Sequence, residues 1–267
     1  MGEKPIAGIR LRFPQAVSLR EESMTGRMNR FAGIRRACLR SGVTFLLVAA
    51  YIAVAVSNSS ADPRTDAAQQ VATAQMTLAN FAIDSNMGAF NDLIKRAKGV
   101  FIAPQILKGA FIFGASGGSG VLVAWSEKSR KWGGPAFYVV GGGSFGLQIG
   151  GEASEVVLLA MTERGVKAMT SNSFKLGADA GIAAGPVGVG ASASTVNLSA
   201  DILSFSRSKG LYGGISLDGA VVATRNDWNE AYYGKKVDPI DILIFQDVNN
   251  PEATALIEAV ERMSGRK

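Results

Sequence analysis

Runs of β-branched and aromatic residues, separated by glycines, fill the chain from 99 to 224 and constrain its fold more than any other feature. Such runs predict strands separated by turns, because glycine weakens a strand interior and admits tight turn conformations. The runs are 100–102, 111–113, 121–123, 137–140 and 156–159. The sequence therefore predicts a mainly antiparallel, glycine-rich β-sheet or a partly closed barrel.

Turn residues and helical spacing complete this outline. Asp218-Gly219 predicts a hairpin between 213–217 and 220–222, and a second turn at 128–131 predicts a hairpin between 121–125 and 137–140. Apolar residues at helical spacing predict two helices between 66 and 97 with a break at Asp84-Ser85. Thr162 is suited to cap a short helix, and Asn250-Pro251 to open a final one. The predicted class is α+β, with N-terminal and C-terminal helices.

The segment 177–194 has eleven Gly or Ala residues in eighteen positions. One interpretation is strands or a surface loop whose small residues let backbones pack closely. The alternative is a segment that inserts between lipids or along a partner. The sequence leaves both open.

The positive charge is concentrated at the N-terminus. Of the 28 Lys and Arg and 22 Asp and Glu residues, nine basic and three acidic residues lie in 1–61, which leaves 19 of each sign in 62–267. A nucleic-acid-binding surface needs a basic stripe, and none is visible in 62–267. We therefore expect no nucleic-acid partner.

The apolar run 43–56 follows several arginines and precedes Ser59-Ser60-Ala61, the order of a signal peptide. We expect cleavage between Ala61 and Asp62, with 1–61 as a signal peptide that has a long basic n-region. The mature protein would be exported to the periplasm or cell envelope without Cys38, the single cysteine. The alternative is one N-terminal membrane anchor, but a helix of this length spans only about 21 Å of a hydrocarbon core about 30 Å thick.

Two segments, 114–118 and 142–146, match the G-x-S-x-G nucleophile elbow, but the chain has no histidine to act as base. An S-x-x-K pattern at 206–209 lies in strand-like sequence. A hydrolase would have to use Ser116, Ser144 or Ser206; we expect no catalytic residue.

The G-x-G-x-x-G match at 141–146 precedes strand-like rather than helical sequence, so no dinucleotide or other cofactor is expected. Scattered carboxylates predict no metal site.

Basic residues gather where the helices give way to the first strand. The candidate lipid-binding residues are Lys95, Arg96, Lys98 and Lys108, with Arg207 and Lys209 as further candidates. Apolar residues between the first four would allow contact with both lipid phosphates and acyl chains. The alternative is a solvated helix end that complements its own dipole.

The chain resembles the SYLF-domain family, also called DUF500, an actin-binding and lipid-binding family, because several short motifs occur in the same order. The matching segments lie between 90 and 234, at 97–100, 114–120, 142–150, 174–178, 184–188, 204–214 and 231–234. The resemblance implies a non-enzymatic domain, and eukaryotic relatives are associated with phosphoinositide-rich membranes and actin bundling. Cytosolic relatives begin with a basic amphipathic segment, whereas 62–94 here has one basic residue, Arg64, and four aspartates.

With these features, the chain resembles a bacterial, exported SYLF protein in which 62–267 form a single SYLF-like domain. We expect a non-enzymatic lipid- or membrane-binding domain of the cell envelope, whose partner is an anionic phospholipid or membrane surface. The alternative is a structural or protein-interaction domain of the envelope, an actin-binding-like scaffold that contacts an envelope protein.

Overall fold

The computed structural model describes residues 62–110, 113–145, 150–191, 199–208, 211–213 and 217–266. The predicted signal peptide, 1–61, and the candidate Lys209 lie outside these residues. None of the described helices has both the length and the apolar character needed to cross a membrane.

The two N-terminal helices and the break between them are present as predicted, but the first begins at Pro63 rather than near 66 and the second ends at Leu93 rather than near 97. Helix α1, Pro63–Ile83, is capped by Asp62, whose carboxylate accepts from the Arg64 backbone N–H at 3.3 Å. The break follows at Asp84, which accepts from the Asn86 N–H at 2.9 Å and starts the 3₁₀ turn Ser85–Met87. Helix α2, Gly88–Leu93, and the 3₁₀ turn Ile94–Arg96 then lead into the sheet.

Within the described residues, nine strands form one mixed sheet at the centre of the structure. The strands are β1 Gly99–Ala110, β2 Phe113–Ser126, β3 Lys131–Phe145, β4 Gly150–Ala160, β5 Ser173–Lys175, β6 Ile182–Ala184, β7 Ile202–Ser208, β8 Leu211–Gly213 and β9 Val221–Thr224. Their order is β5-β9-β3-β2-β1-β4-β7-β6, and β8 pairs with β7. Every pairing is antiparallel except that of β6 with β7. The α+β class with a mainly antiparallel sheet is confirmed.

Further helices flank the sheet. Thr162 caps α3, Glu163–Met169, and Asn250 caps the 3₁₀ turn Pro251–Ala253 that opens α5, Thr254–Ser264, as predicted. Two helical elements had no prediction: α4, Asn226–Tyr233, and the π-helix Asp241–Phe245.

Both faces of the sheet are buried at 99–103, 120–124 and 156–160, where successive side chains of a strand point to opposite faces and each face is covered. The other half of the sheet is more exposed, with Leu107 of β1 at 55%. On one face Val100 and Val123 pack with α1, α4 and α5. On the other, Phe101 and Leu122 pack with α3 and the π-helix. Burial on both sides explains why the strands appear in the sequence as continuous apolar runs.

The glycine-rich stretch 114–120, which was expected to interrupt two strands, lies within β2. Its backbone pairs with β3 throughout, with Gly117 opposite Gly141. The stretch remains extended because neighbouring strands satisfy its backbone hydrogen bonds. The predicted β2–β3 hairpin is confirmed, with its turn at 127–130.

The predicted hairpin around Asp218-Gly219 is wrong, because its second strand, β9, is paired on both sides with other strands. Residues 214–216 of its predicted first strand lie outside the described residues, and the turn itself is present, with Gly219 at φ 80°. Strand β8 pairs with β7, whereas β9 pairs with β3 and β5. The turn instead holds the segment after β5, because the Gly219 N–H donates to the Leu176 carbonyl at 2.9 Å.

Close packing explains a glycine in the small-residue segment. A Cβ at Gly185 would overlap the buried ring of Phe205. At this position the small residue lets the backbone pack against an aromatic side chain. Residues 192–194 of the segment lie outside the described residues.

Candidate functional site

Two tryptophans and an arginine meet at the turn end of the β2–β3 hairpin. Trp125 near the end of β2 and Trp132 near the start of β3 pack edge to face, with ring centres 5.8 Å apart. The guanidinium carbon of Arg266, which follows α5, lies 5.5 Å from the centre of the Trp125 ring. Its Nη1 donates to the Ala97 carbonyl at 3.2 Å. A cation over an indole is electrostatically attracted to the negative face of the ring.

Backbone hydrogen bonds bring the predicted basic residues to the same end of the sheet. The Lys98 N–H donates to the Ala160 carbonyl, and the Trp125 N–H donates to the Lys98 carbonyl, both at 2.8 Å. Segment 95–98 therefore lies beside the hairpin turn. We call the residues Lys95, Arg96, Lys98, Arg130 and Arg266, together with Trp125, the basic end.

A cavity of about 620 Å³ opens at the basic end, lined by Trp125, Glu127, Arg130, Gly265 and Arg266. Arg130 occupies the left-handed region, with φ 55°, at the last position of the turn. The cavity thus offers two guanidinium groups, one carboxylate and an indole. This combination suits an anionic group attached to an apolar body.

Three of the predicted lipid-binding residues lie together at the basic end. Lys95 forms an exposed ion pair with Asp92 at 3.2 Å, and Lys98 pairs with Glu163 of α3. Arg96 is exposed, and within the described residues its side chain has no ion-pair partner.

A buried carboxylate supports α3, the helix that carries the partner of Lys98. The Thr162 hydroxyl accepts from the Gly165 N–H and donates to Asp201 Oδ1 at 2.6 Å. Asp201 Oδ2 accepts from the Gly181 N–H at 2.9 Å. These hydrogen bonds, that of Thr162 above all, hold the pKa of Asp201 below its ordinary value, with a smaller contribution from the charge of Arg164.

Lys108 lies elsewhere. It is ten positions from Lys98 along β1, about 33 Å for an extended chain, and is paired with Ser116 and Glu152. Lys108, which the sequence analysis grouped with Lys95, Arg96 and Lys98, therefore lies far from them in the structure.

Arg207 is also separate from the basic end. It lies opposite Glu155, five positions along β4 from Ala160, which is about 17 Å of extended chain. Its guanidinium binds Glu155 Oε2 at 2.6 Å and lies 3.7 Å from Asp84 Oδ2, so it joins β7 to β4 and to the end of α1. Its role in lipid binding, and that of Lys209, stays a prediction.

The serine motifs lie in strands. Ser116 is inside β2, where its hydroxyl donates weakly to the Gly142 carbonyl at 3.4 Å. Ser206 is buried within β7, and the backbone of Ser144 belongs to β3. A nucleophile elbow is a sharp strand-to-helix turn, and none of these serines occupies one.

Trp125, Arg130 and Arg266 had no functional assignment from the sequence. The predicted hairpin could have indicated that Trp125 and Trp132 are cross-strand neighbours, since they are nearly equidistant from the turn. Arg266 could not have been found in this way, because its contact with Ala97 spans 169 positions.

Comparison with known proteins identifies relatives of the chain. Residues 141–263 match the family described as Ysc84: Las17-binding protein actin regulator. Protein YSC84 of Saccharomyces cerevisiae is 33% identical over 174 residues, which are 63% of this chain and 36% of that protein. LAS seventeen-binding protein 3 of the same yeast is 35% identical over 148 residues, 54% of this chain and 32% of that protein.

A human protein, SH3 domain-containing YSC84-like protein 1, is 31% identical over 172 residues, 63% of this chain and 49% of that protein. The aligned region thus spans a third to a half of the length of these relatives.

Proposed function

Through residues 141–263 the chain belongs to the Ysc84 family, the SYLF-domain family, and from this premise we propose that it is a non-enzymatic binding protein whose basic end contacts anionic phospholipid. The family is described by binding and actin regulation rather than by a reaction. The position of the three candidate serines inside strands supports the same reading.

The contact of Arg266 with Trp125 carries the lipid proposal. Indole rings favour the boundary between headgroups and acyl chains, and guanidinium groups bind phosphate through paired N–H donors. At the basic end these groups line one open cavity, with Lys95, Arg96 and Lys98 nearby. The arrangement would place cations at phosphate depth while the indole reaches the apolar boundary.

We propose further that the protein works after export, in the periplasm or cell envelope. Residues 1–61 contain basic residues, an apolar run and a small-residue site in the order of a signal peptide, and this order motivates the proposed location. Cell fractionation followed by N-terminal sequencing tests it, since the mature chain should begin at Asp62. A cytoplasmic protein that retains its first residues would contradict export.

Vesicle co-sedimentation of residues 62–267 tests the lipid proposal. Binding to phosphatidylglycerol vesicles should be strong at low salt and should weaken as salt screens the attraction. The double variant Arg130→Gln/Arg266→Gln should lose most of this binding. The matched control, Lys167→Gln/Lys175→Gln, removes two exposed charges from α3 and β5 and should bind like wild type. Equal binding by both double variants, or no binding at low salt, would refute a lipid contact here.

A protein partner is the second candidate, and the relatives favour it. One yeast relative is named for binding to LAS seventeen, and the family description also names Las17 binding. Cross-linking in cells that recovers a defined protein and no lipid would support this candidate over the first.

A hydrolase using Ser116, Ser144 or Ser206 would react with a fluorophosphonate probe. We expect no labelling, because none of these serines is at a strand-to-helix turn. Labelling that disappears in one serine-to-alanine variant would overturn the non-enzymatic assignment.

A further inference from the structure

Three cations gather at the turn of the β2–β3 hairpin. Lys128 and Arg130 lie in the turn and Lys131 follows it, and all three residues are exposed. Within the described residues, none of the three has an ion-pair partner. Arg266 lies beside the same turn, because it lines one cavity together with Arg130. The turn therefore presents unpaired positive charge to solvent.

Two hydrogen bonds hold the end of the π-helix against this turn. The hydroxyl of Ser126, the residue before the turn, donates to the Ile244 carbonyl at 2.9 Å. The side-chain amide of Gln246 donates to the carbonyl of Lys131, the residue after the turn, at 3.1 Å. Phe245 lies between these two contacts in the chain, so its position at the turn is fixed from both sides.

We call residues 126–131 and 244–246 the hairpin corner, and its exposed aromatic residue is Phe245. Phe245 is 52% exposed. The other phenylalanines whose side chains the structure describes are at most 4% exposed; they lie at positions 81, 90, 101, 137, 174 and 205. A single exposed apolar side chain is ordinary, but a large aromatic ring among unpaired cations is suited to contact a surface that is both apolar and anionic.

The backbone of the hairpin corner is tightly specified. Arg130, with φ 55°, and Gln246, with φ 59°, are the non-glycine residues of positive φ in the described chain, and both belong to this corner. Such conformations are costly and persist where the surrounding structure imposes them. Gly133 admits the π-helix, because a Cβ there would overlap the Leu243 carbonyl. Phe245 is thus presented on a defined support.

Aromatic residues flank the turn on both faces of the hairpin. Trp125 packs with the cluster on the face that α5 covers. Leu243 of the π-helix packs with the cluster on the opposite face, and Phe245 ends that helix. The cations of the turn therefore lie between Trp125 and Phe245. Contact with a bilayer interface needs this combination, with cations at the phosphates and apolar rings at the acyl boundary.

The hairpin corner and its surroundings have a net positive charge, although acidic residues are also present. The acidic residues are Glu127, Asp241 and Asp247. The basic residues are Lys128, Arg130, Lys131 and Arg266, with Arg96 also exposed at the basic end. Each cation that reaches an anionic bilayer adds to the attraction. The excess of cations therefore favours an orientation in which the corner faces the membrane.

We propose that the hairpin corner penetrates an anionic bilayer, with the Phe245 ring among the acyl chains and Lys128, Arg130 and Lys131 at the phosphates around it. This inference rests on the proposed lipid contact and specifies its partner as a bilayer rather than a free anionic group. A soluble phosphate ester can pair with the cations, but it buries no apolar surface of Phe245. The ring therefore distinguishes insertion from attraction to the membrane surface.

A fluorescent label at position 245 tests insertion directly. The chain from 62 onward forms one compact unit and has no cysteine, so Phe245→Cys in this part takes a single thiol-reactive nitrobenzoxadiazole label. Phosphatidylglycerol vesicles should increase the emission and shift it to shorter wavelength. Lipids that carry a nitroxide on the acyl chain should quench it. Unchanged emission from vesicle-bound protein would overturn the proposal.

The control for the label is Leu107→Cys, labelled in the same way. Leu107 is 55% exposed, close to the exposure of Phe245, but it lies in the half of β1 away from the basic end. Its label should show neither the spectral shift nor the quenching. Equal changes at positions 107 and 245 would mean that the corner is not the inserted part, and would also overturn the proposal.

Removal of the ring measures its contribution. Phe245→Ser should raise the lipid concentration for half-maximal binding about three- to thirtyfold, the range for a partly buried aromatic side chain. Phe245→Leu remains apolar and should lose less, and Leu107→Ser should bind like wild type. The difference between Phe245→Ser and wild type should persist as salt rises, because salt does not screen apolar burial. Equal binding by Phe245→Ser and wild type would contradict insertion.

Vesicle binding by the variants separates this inference from the lipid proposal. If Arg130→Gln/Arg266→Gln loses binding while Phe245→Ser binds as wild type does, cations hold the protein at the membrane surface and insertion alone fails. If wild type does not bind phosphatidylglycerol vesicles at low salt, the lipid contact itself fails, and insertion fails with it.

Discussion

Arg266 joins the C-terminal end of α5 to the start of the sheet by lying over Trp125 and donating to the Ala97 carbonyl. The residue is therefore part of the fold as well as of the basic end. Its removal should have a structural effect that can be measured separately from binding.

We predict that Arg266→Gln lowers the free energy of unfolding by about 0.5–1.5 kcal/mol, because a cation–π contact and a hydrogen bond to the backbone are lost. Urea unfolding measures this change. Arg262→Gln is the control, since among the described residues Arg262 has a single ion pair, the exposed one with Glu258. Equal effects of the two substitutions would contradict a stabilising contact with Trp125.

Arg207→Ala should be more destabilising, by about 1–3 kcal/mol, because it leaves the carboxylates of Glu155 and Asp84 without their cation in a half-buried position. Thermal and urea unfolding would show the loss. Lys95→Ala, which breaks an exposed pair with Asp92, should cost less than about 0.5 kcal/mol. A wild-type stability for Arg207→Ala would show that its contacts are weak.

The depressed pKa of Asp201 predicts acid sensitivity. Because the folded state favours the ionised carboxylate, its contribution is complete above the unfolded pKa, near 4, and is lost as the pH falls through the lower folded pKa. Asp201→Asn should be less stable at pH 7 and should lose less additional stability in acid. Asp227, whose pKa is also lowered, retains part of the slope.

Unfolding midpoints measured from pH 7 to pH 3 would check this prediction. Asp247→Asn, which alters an exposed carboxylate, is the control and should follow the wild-type curve. An Asp201→Asn curve parallel to that of wild type would show that Asp201 does not contribute to the acid sensitivity.

Two glycines should respond in opposite ways to alanine. Gly185→Ala places a methyl group against the buried ring of Phe205 and should destabilise the protein by about 1–3 kcal/mol. Gly141→Ala adds a methyl group that meets nothing within 4 Å and should stabilise β3 by about 0.5–1 kcal/mol. Urea unfolding of both variants tests the contrast, and a loss of stability in Gly141→Ala would mean that this glycine is structurally required.

The helix boundaries at Asp84, Thr162 and Asn250 could be predicted because a cap involves residues two or three positions apart. The apolar runs of the first four strands were predictable for a similar reason, since burial on both faces leaves a continuous pattern. The 114–120 stretch was misread because its glycines are typical of turns when considered alone. Pairing with β3 holds them in a strand.

The partner of each strand was less predictable. Asp218-Gly219 indicated a turn correctly, but a turn does not determine which strands pair around it. Strand β8 pairs with β7 near one edge of the sheet, whereas β9 pairs with β3 and β5 near the other, so the chain crosses the sheet between β8 and β9. The partners of β9 depend on burial far from the turn.

The sequence by itself determined the α+β class, the helix caps, the Lys95 to Lys98 group and the family resemblance, because each is recorded in neighbouring residues or in ordered motifs. Only the tertiary structure separated Lys108 and Arg207 from that group and brought Arg130, Trp125 and Arg266 to it. The physical reason is that strand pairing and packing join residues far apart in the chain, and local sequence does not encode those distances.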